Sequence, residues 1–216
     1  MIRDRSARTG KLVQAGYAER VVRTFGMWDC NPVLNPLDPN IRLTKRDSPE
    51  VVDPRLHRRM RSIVGCPSYL VNMSRPDLAF TYSQLSKFVQ SPGPVHLDAA
   101  ERALAYIRGN YNEGITYCDP EEDRRNKPTG WVDSDLHAAD PDTRKSMTGY
   151  LFSLNGGAVS WRSFRQGGVT LSTLKPSLWQ RHRRAKNPSI CERCCGVSIS
   201  DKSAPQKYGK IMPLVL

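Results

Sequence analysis

Hydrophobic positions change their period partway along this chain. In the first hundred or so residues they recur at near-helical spacing. Tyr17, Val21 and Phe25 mark a helix over residues 14–25. Residues 55–70 are partly helical in pattern, and Pro67 should bend or end that segment. Pro76 fits the first turn of a helix, where no amide hydrogen is needed, and the pattern predicts a helix running to Val89 with Leu78, Tyr82, Leu85 and Val89 inside. Ser91-Pro92-Gly93-Pro94 is a stop and a new start. Leu97, Ala100, Leu104 and Ile107 then share one helical face. Between the first two helices, Asn31-Pro32 and Asn35-Pro36-Leu37-Asp38-Pro39 read as an extended, turn-rich connection.

Beyond residue 114 the pattern becomes β-like. Ile115-Thr116-Tyr117 is a short strand, and further strands are expected at 130–133, 149–154, 158–162 and 169–172. Asn155-Gly156-Gly157 is a hairpin turn, because Asn and Gly tolerate positive φ. Residues 119–128 carry four acidic and three basic side chains and read as a linker between two pieces.

The chain's residues also carry an ordered resemblance. Gly130-Trp131-Val132-Asp133-Ser134-Asp135-Leu136-His137-Ala138-Ala139-Asp140, then Thr143-Arg144-Lys145-Ser146-Met147-Thr148-Gly149-Tyr150, then Ser160-Trp161-Arg162-Ser163 and Leu171-Ser172-Thr173 form one collinear series. It resembles the start of the ribonuclease H domain in copia-type LTR-retrotransposon Pol polyproteins. Upstream, Gln14-Ala15-Gly16-Tyr17, Phe25-Gly26-Met27 and Asn31-Pro32-Val33 are similar to the region just after the polymerase palm. Arg61-Ser62-Ile63-Val64-Gly65, Tyr69-Leu70, Arg75-Pro76-Asp77-Leu78-Ala79 and Gln84-Leu85-Ser86-Lys87-Phe88 resemble the segment joining reverse transcriptase to ribonuclease H. His96, Ala99-Ala100, Arg102, Leu104, Tyr106-Ile107 and Gly109 fit the helix after it. The similarity runs from Ile2 to Thr173. Cys66-Pro67 and Leu136 depart from the usual family residues, and the palm's paired-aspartate motif is absent, so polymerase activity does not carry over.

The resemblance implies a mixed α/β fold. A helical reverse transcriptase connection (1–118) is followed by the linker (119–128), an incomplete ribonuclease H-like sheet (129–173) and a disordered tail (174–216). It also implies two-metal hydrolysis of RNA in a hybrid, in which converging carboxylates hold two Mg²⁺ ions ~3.5–4 Å apart. Asp133 matches the first catalytic aspartate and is the candidate catalytic and metal-binding residue. Asp135 and Asp140 are the nearby acids. Taken alone, an aspartate at a strand end is a solvated turn residue; the surrounding motif makes Asp133 a descendant of the catalytic position. No cofactor is expected for this chain, Mg²⁺ being that of the ancestral enzyme.

The tail reads better in another frame. Where the family continues after Thr173 with a residue and then Glu-Ala-Glu-aromatic, the chain has Leu174-Lys175-Pro176-Ser177-Leu178-Trp179-Gln180. Codons ACG GCT GAA GCC GAG TTT ATG GCA, encoding Thr-Ala-Glu-Ala-Glu-Phe-Met-Ala, become this sequence on loss of one G. The stretch from Lys210 to Leu216, shifted back, permits Asp-Asn-Ala-Ala-Cys-Ile. The family's later catalytic aspartate stands in such a context at a comparable distance; Lys210 lies 36 positions past Leu174. A frameshifted tail would remove the partner acids and the helix expected to cover the sheet. Cys191, Cys194 and Cys195 with His182 lack the second ligand pair of a zinc site.

Charge modifies this picture only slightly. The net charge is +12, of which residues 174–216 contribute +7, nine Lys/Arg against Glu192 and Asp201. Nucleic acid is therefore a possible partner through non-specific phosphate contacts, centred on the tail and its Arg181–Lys186 run, with only Trp179 and Tyr208 to stack on bases. Lys45-Arg46 and Arg58-Arg59 fit a solvated face or weak backbone contacts. His96 and Trp131 read as packing residues. No apolar run approaches the roughly 20 residues of a membrane helix, and Met1-Ile2-Arg3-Asp4-Arg5 lacks a signal peptide's apolar core, so a cytoplasmic or nuclear setting is expected. Cys30, Cys66 and Cys118 are too scattered for a disulfide framework. The leading reading is a non-enzymatic fragment of a retrotransposon polyprotein. The alternatives are a residual hybrid nuclease recruiting Asp135 and Asp140, and a basic, non-specific nucleic-acid-binding protein.

Overall fold

A computed structural model describes residues 1–119, 126–135, 140–143 and 145–166, the side chains of 134 and 135 excepted. The expected strand at 169–172, the tail with its basic run and its cysteine cluster all lie outside the described residues. The architecture is mixed α/β, and the chain divides into two compact units, Met1–Cys118 and a second beginning at Asp119.

The first unit holds five helices: α1 (Ala15–Thr24), α2 (Pro54–Gly65), α3 (Ser68–Met73), α4 (Ala79–Leu85) and α5 (Pro94–Gly109). It also holds an antiparallel sheet of β1 (Ile2–Asp4), β2 (Thr9–Val13) and β3 (Gly114–Cys118), with Leu12 opposite Ile115. Strands β1 and β2 have no counterpart among the elements that the hydrophobic pattern predicts. They are short, and β1 is exposed throughout, so neither carries an alternating apolar pattern.

Local chemistry sets the helix limits. Helix α1 ends in a glycine-dependent reversal: Gly26 has φ +71°, its N–H donates to the Arg23 carbonyl, and the Met27 N–H donates to that of Val22. Helix α2 starts with Pro54 in its first turn and Asp53 as cap, whose carboxylate accepts from the Arg55 amide at 2.8 Å. Pro67 separates α2 from α3, as its lack of an N–H requires.

The continuous helix expected from Pro76 to Val89 is instead three pieces: a 3₁₀ turn at Pro76–Leu78, α4, and a second 3₁₀ turn at Ser86–Phe88. The tighter winding turns Phe88 inward, 2% exposed, and leaves Val89 half-buried. Helix α5 follows the expected pattern: Ala100, Leu104 and Ile107 are fully buried, with Leu97 packed at the margin.

These helices share one core. Val21 and Val22 of α1, Met60 and Ile63 of α2, Leu70 and Val71 of α3, Tyr82 and Leu85 of α4, and Ala103 and Leu104 of α5 all lie in it. The half-buried Tyr17, Phe25 and Trp28 close its edge. At ~1.5–3 kcal/mol for each fully buried large side chain, this cluster is the main source of the unit's stability. No helix among the described residues is long and apolar enough to cross a membrane.

The second unit is an antiparallel meander of β4 (Thr129–Asp135), β5 (Met147–Leu154) and β6 (Gly157–Arg165). Strands β5 and β6 turn at Asn155-Gly156, with φ of 50° and 78°, the paired positive values of a tight hairpin. The Asn155 side chain is held by Asn126, through a backbone bond of 2.9 Å and a side-chain bond of 3.0 Å. Cross-strand rows follow from the register: Trp131–Leu151–Trp161 on one face, Val132–Tyr150–Arg162 on the other. Gly130 accommodates the ring of Phe152, which would lie 2.4 Å from a β-carbon added there.

Candidate functional site

Strand β4, at one edge of the described three-stranded sheet, carries Asp133. Seven consecutive residues of β4 pair with β5, and Asp133 stands opposite Gly149, itself opposite Ser163 on β6. Asp133 is exposed, and among the described residues a β-carbon at Gly149 would meet nothing within 4 Å. No side chain therefore stands directly opposite the acid on β5. This follows from the sequence: a glycine across from the acid leaves one gap in an otherwise continuous row of side chains.

Asp135 lies two positions further along β4, opposite Met147. Asp140 has a different environment. Its side chain is 1% exposed and its carboxylate is occupied. Oδ2 accepts from Arg165 Nη1 at 2.6 Å and from the Thr143 hydroxyl at 2.9 Å, and Oδ1 from the Asp142 amide at 3.3 Å. The Asp140 N–H donates to the Lys145 carbonyl at 3.0 Å. Asp140 is thus the organising residue of the turn leading into β5, neutralised by the end of β6. Arg165 was not legible as its partner, because 25 residues and two strands separate them.

Beside this pair sit Ser146, Thr148 and Gln166, all buried. Gln166 Nε2 donates to Thr148 Oγ1 at 2.7 Å, and the Gln166 N–H donates to the Ser146 carbonyl at 3.0 Å. Among the described residues the buried Ser146 hydroxyl meets no hydrogen-bond partner.

The first unit contains a second polar centre. Arg75, 2% exposed, grips Asp77 through Nε at 3.0 Å and Nη2 at 2.7 Å, and donates from Nη1 to the Asn110 carbonyl at 2.7 Å. The Tyr106 hydroxyl donates to Asp77 at 3.1 Å. Burial, and then the Asp77 carboxylate, push the Tyr106 phenol above its ordinary pKa. Burial opposes the charge on Arg75, yet its bonds to Asp77 hold the guanidinium above its usual value. This clamp ties the Arg75-Pro76-Asp77 corner to the C-terminus of α5. It is wholly committed to holding the fold.

His96 is likewise structural. It is fully buried, accepts from the Gly93 N–H through Nδ1 at 2.9 Å, lies 3.0 Å from the Thr44 carbonyl through Nε2, and stacks on Phe88. Trp131 is half-buried in its cross-strand row. Both are packing residues. Among the described residues no group of three or more His, Cys, Asp or Glu is placed to hold a metal ion. A pair of Mg²⁺ ions needs several converging carboxylates. With Asp140 spent on Arg165, the described side chains do not fit such a pair.

Comparison with known proteins identifies relatives of the chain. The chain is 38% identical over 176 residues to the retrovirus-related Pol polyprotein from transposon TNT 1-94 of Nicotiana tabacum, covering 80% of this chain and 13% of that protein. It is 31% identical over 162 residues to the Pol polyprotein from transposon RE1 of Arabidopsis thaliana, covering 75% of this chain and 10% of the relative. It is also 41% identical over 112 residues to secreted RxLR effector protein 161 of Plasmopara viticola, 52% of this chain and 76% of that protein. No family model matches the chain, and no solved structure matches it. The chain belongs to the retrovirus-related Pol polyproteins of transposons. It spans about an eighth of the length of the TNT 1-94 polyprotein.

Proposed function

We propose that this chain is the piece of a copia-type Pol polyprotein that links reverse transcriptase to ribonuclease H, and that it does not itself cleave RNA–DNA hybrids. On this reading Met1–Cys118 is the end of the reverse transcriptase region. The β4–β6 meander is the opening of the ribonuclease H-like domain, with Asp133 at the ancestral catalytic position. The shifted reading frame after Thr173 removes the glutamate and the later aspartate that would converge on it.

The observation that carries the loss of activity is the state of Asp140. It is one of the two acids, with Asp135, that a residual nuclease would recruit, and its oxygens are buried and engaged by Arg165, Thr143 and the Asp142 amide. Releasing it would leave the Arg165 guanidinium unpaired and cost the turn its organising bonds. Asp133 alone offers one firm ligand where the chemistry needs several.

The test is a labelled RNA–DNA hybrid incubated with the full chain in Mg²⁺ or Mn²⁺, beside the Asp133→Asn variant. The expected result is equal background in both. Turnover in the unaltered chain that Asp133→Asn abolishes would restore the nuclease reading.

A further inference from the structure

Helix α2 presents an arginine face that the fold itself does not use. Its twelve residues contain Arg55, Arg58, Arg59 and Arg61 and no acid. The inner side is spent on the core through the fully buried Met60 and Ile63. Arg55, Arg58, Arg59 and Arg61 are all exposed. Four other arginines of this unit are engaged: Arg23 with Glu19, Arg75 with Asp77, Arg102 with the Asn35 carbonyl and Arg108 with that of Trp28. On α2 itself Arg59 is held by Glu101 at 2.7 Å. Among the described residues Arg55, Arg58 and Arg61 have no side-chain ion pair or hydrogen bond.

Three like charges on adjacent turns repel each other and bring the fold no compensating contact. Guanidinium groups in that state are suited to an external anion they can bind bidentately. From Arg55 to Arg61 the helix rises ~9 Å. One strand of a duplex presents a phosphate every ~3.4 Å along its axis, so the spacing suits two or three successive phosphates.

We propose that Arg55, Arg58 and Arg61 form a contact surface for the phosphate backbone of a nucleic-acid duplex, independent of base sequence. The helix is unsuited to a lipid surface. Membrane-surface helices bury an apolar face among the lipid chains, whereas Met60 and Ile63 of α2 lie in the core, with Val64 packed against it. It is unsuited to reading bases as well, since no Asn, Gln or exposed aromatic side chain stands among the three arginines. The surface lies in the helical unit and so does not depend on whether the second unit has lost its hydrolytic chemistry. It places in the body of the chain a share of binding that charge counting alone assigns to the tail.

The test uses the full chain and a fluorescent DNA duplex, with affinity measured over a range of salt. Each phosphate contact contributes ~0.9 to the slope of log K against log salt. Arg55→Gln/Arg58→Gln/Arg61→Gln should flatten the slope by about 2–3. A control carrying Lys202→Gln/Lys207→Gln/Lys210→Gln has the same change in net charge, and should flatten it less. Gln and Arg have similar helix propensity, so folding should be retained. The single Arg58→Gln variant, expected to lose ~0.9 of slope, gives the answer if the triple variant does not fold. Equal slopes for arginine and lysine variants, or an unchanged slope in Arg58→Gln, would overturn the proposal. So would arginine-dependent binding of anionic vesicles or polyglutamate without binding of the duplex.

Discussion

The two units of this chain are held together in different ways. In Met1–Cys118 a continuous set of side chains from all five helices is buried to a few per cent exposure. In the second unit Met147 is the one buried hydrophobic side chain among the described residues, while Trp131, Leu151, Trp161, Tyr150 and Phe152 are half-buried. What is buried there is polar: Asp140, Ser146, Thr148 and Gln166. The first unit rests on apolar burial, the second on backbone ladders and a polar corner. A fold of the first kind tolerates the loss of single surface features. One of the second kind depends on whatever else covers its sheet.

The largest expected effect sharpens that contrast directly. Leu104→Ala empties a fully buried site in α5 and should destabilise the helical unit by ~2–5 kcal/mol. Leu151→Ala, at a half-buried site in β5, should cost only about 1 kcal/mol, because less apolar surface returns to water. Urea unfolding followed separately in each unit would check both. Equal losses would erase the distinction.

A smaller loss is expected from the clamp. Arg75→Met removes the guanidinium that binds Asp77 and the Asn110 carbonyl. Asp77 keeps 28% of its side-chain exposure, which lets water take over part of the role. The cost should therefore be about 2 kcal/mol, below the ~3–5 kcal/mol of breaking a fully buried pair. A change under ~0.5 kcal/mol, the level of an ordinary surface substitution, would show the clamp to be dispensable.

Alkaline pH should act on the helical unit in particular. Burial pushes the Tyr82 phenol well above its ordinary value of 10.0, and its hydroxyl has no hydrogen-bond partner among the described residues; Tyr106 is raised too, by burial and then by Asp77. A phenol with a higher pKa in the folded state holds its proton after the unfolded chain has lost it. Its stabilisation is thus complete below pH 10 and falls as pH rises above it. Unfolding midpoints measured from neutral to strongly alkaline pH should drop above about pH 10, and less in Tyr82→Phe. Identical profiles for the two proteins would remove Tyr82 from the account.

How much of this was legible in the sequence depended on the range of the cause. Helices with local signals were readable: Pro67 as a break, Pro94 as a start, and the Ala100–Leu104–Ile107 face. So was the Asn155-Gly156 turn. The break of the expected 76–89 helix was not, because 3₁₀ and α winding differ by a fraction of a residue per turn and the apolar spacing of Leu78, Tyr82 and Leu85 suits both. Strand β2 pairs with β3 across about a hundred residues, β1 pairs only with β2, and both bury little, so no local periodicity marks them. At the candidate site, the motif located Asp133, but Asp140 looked like a spare acid until the hairpin brought Arg165 to it. The basic face of α2 was present in the sequence, yet its free charges became separable from Arg59 only once Glu101 was placed.

The most direct test of the central claim, that the acids around Asp133 do not form a two-metal site, is a Mn²⁺ titration of the full chain. It is read by paramagnetic broadening of the β4 and β5 amide signals. The account predicts broadening around Asp133 only at high Mn²⁺, from one weak site, unaltered by Asp140→Asn. Tight uptake of two ions per chain, abolished by Asp133→Asn and weakened by Asp140→Asn, would contradict it.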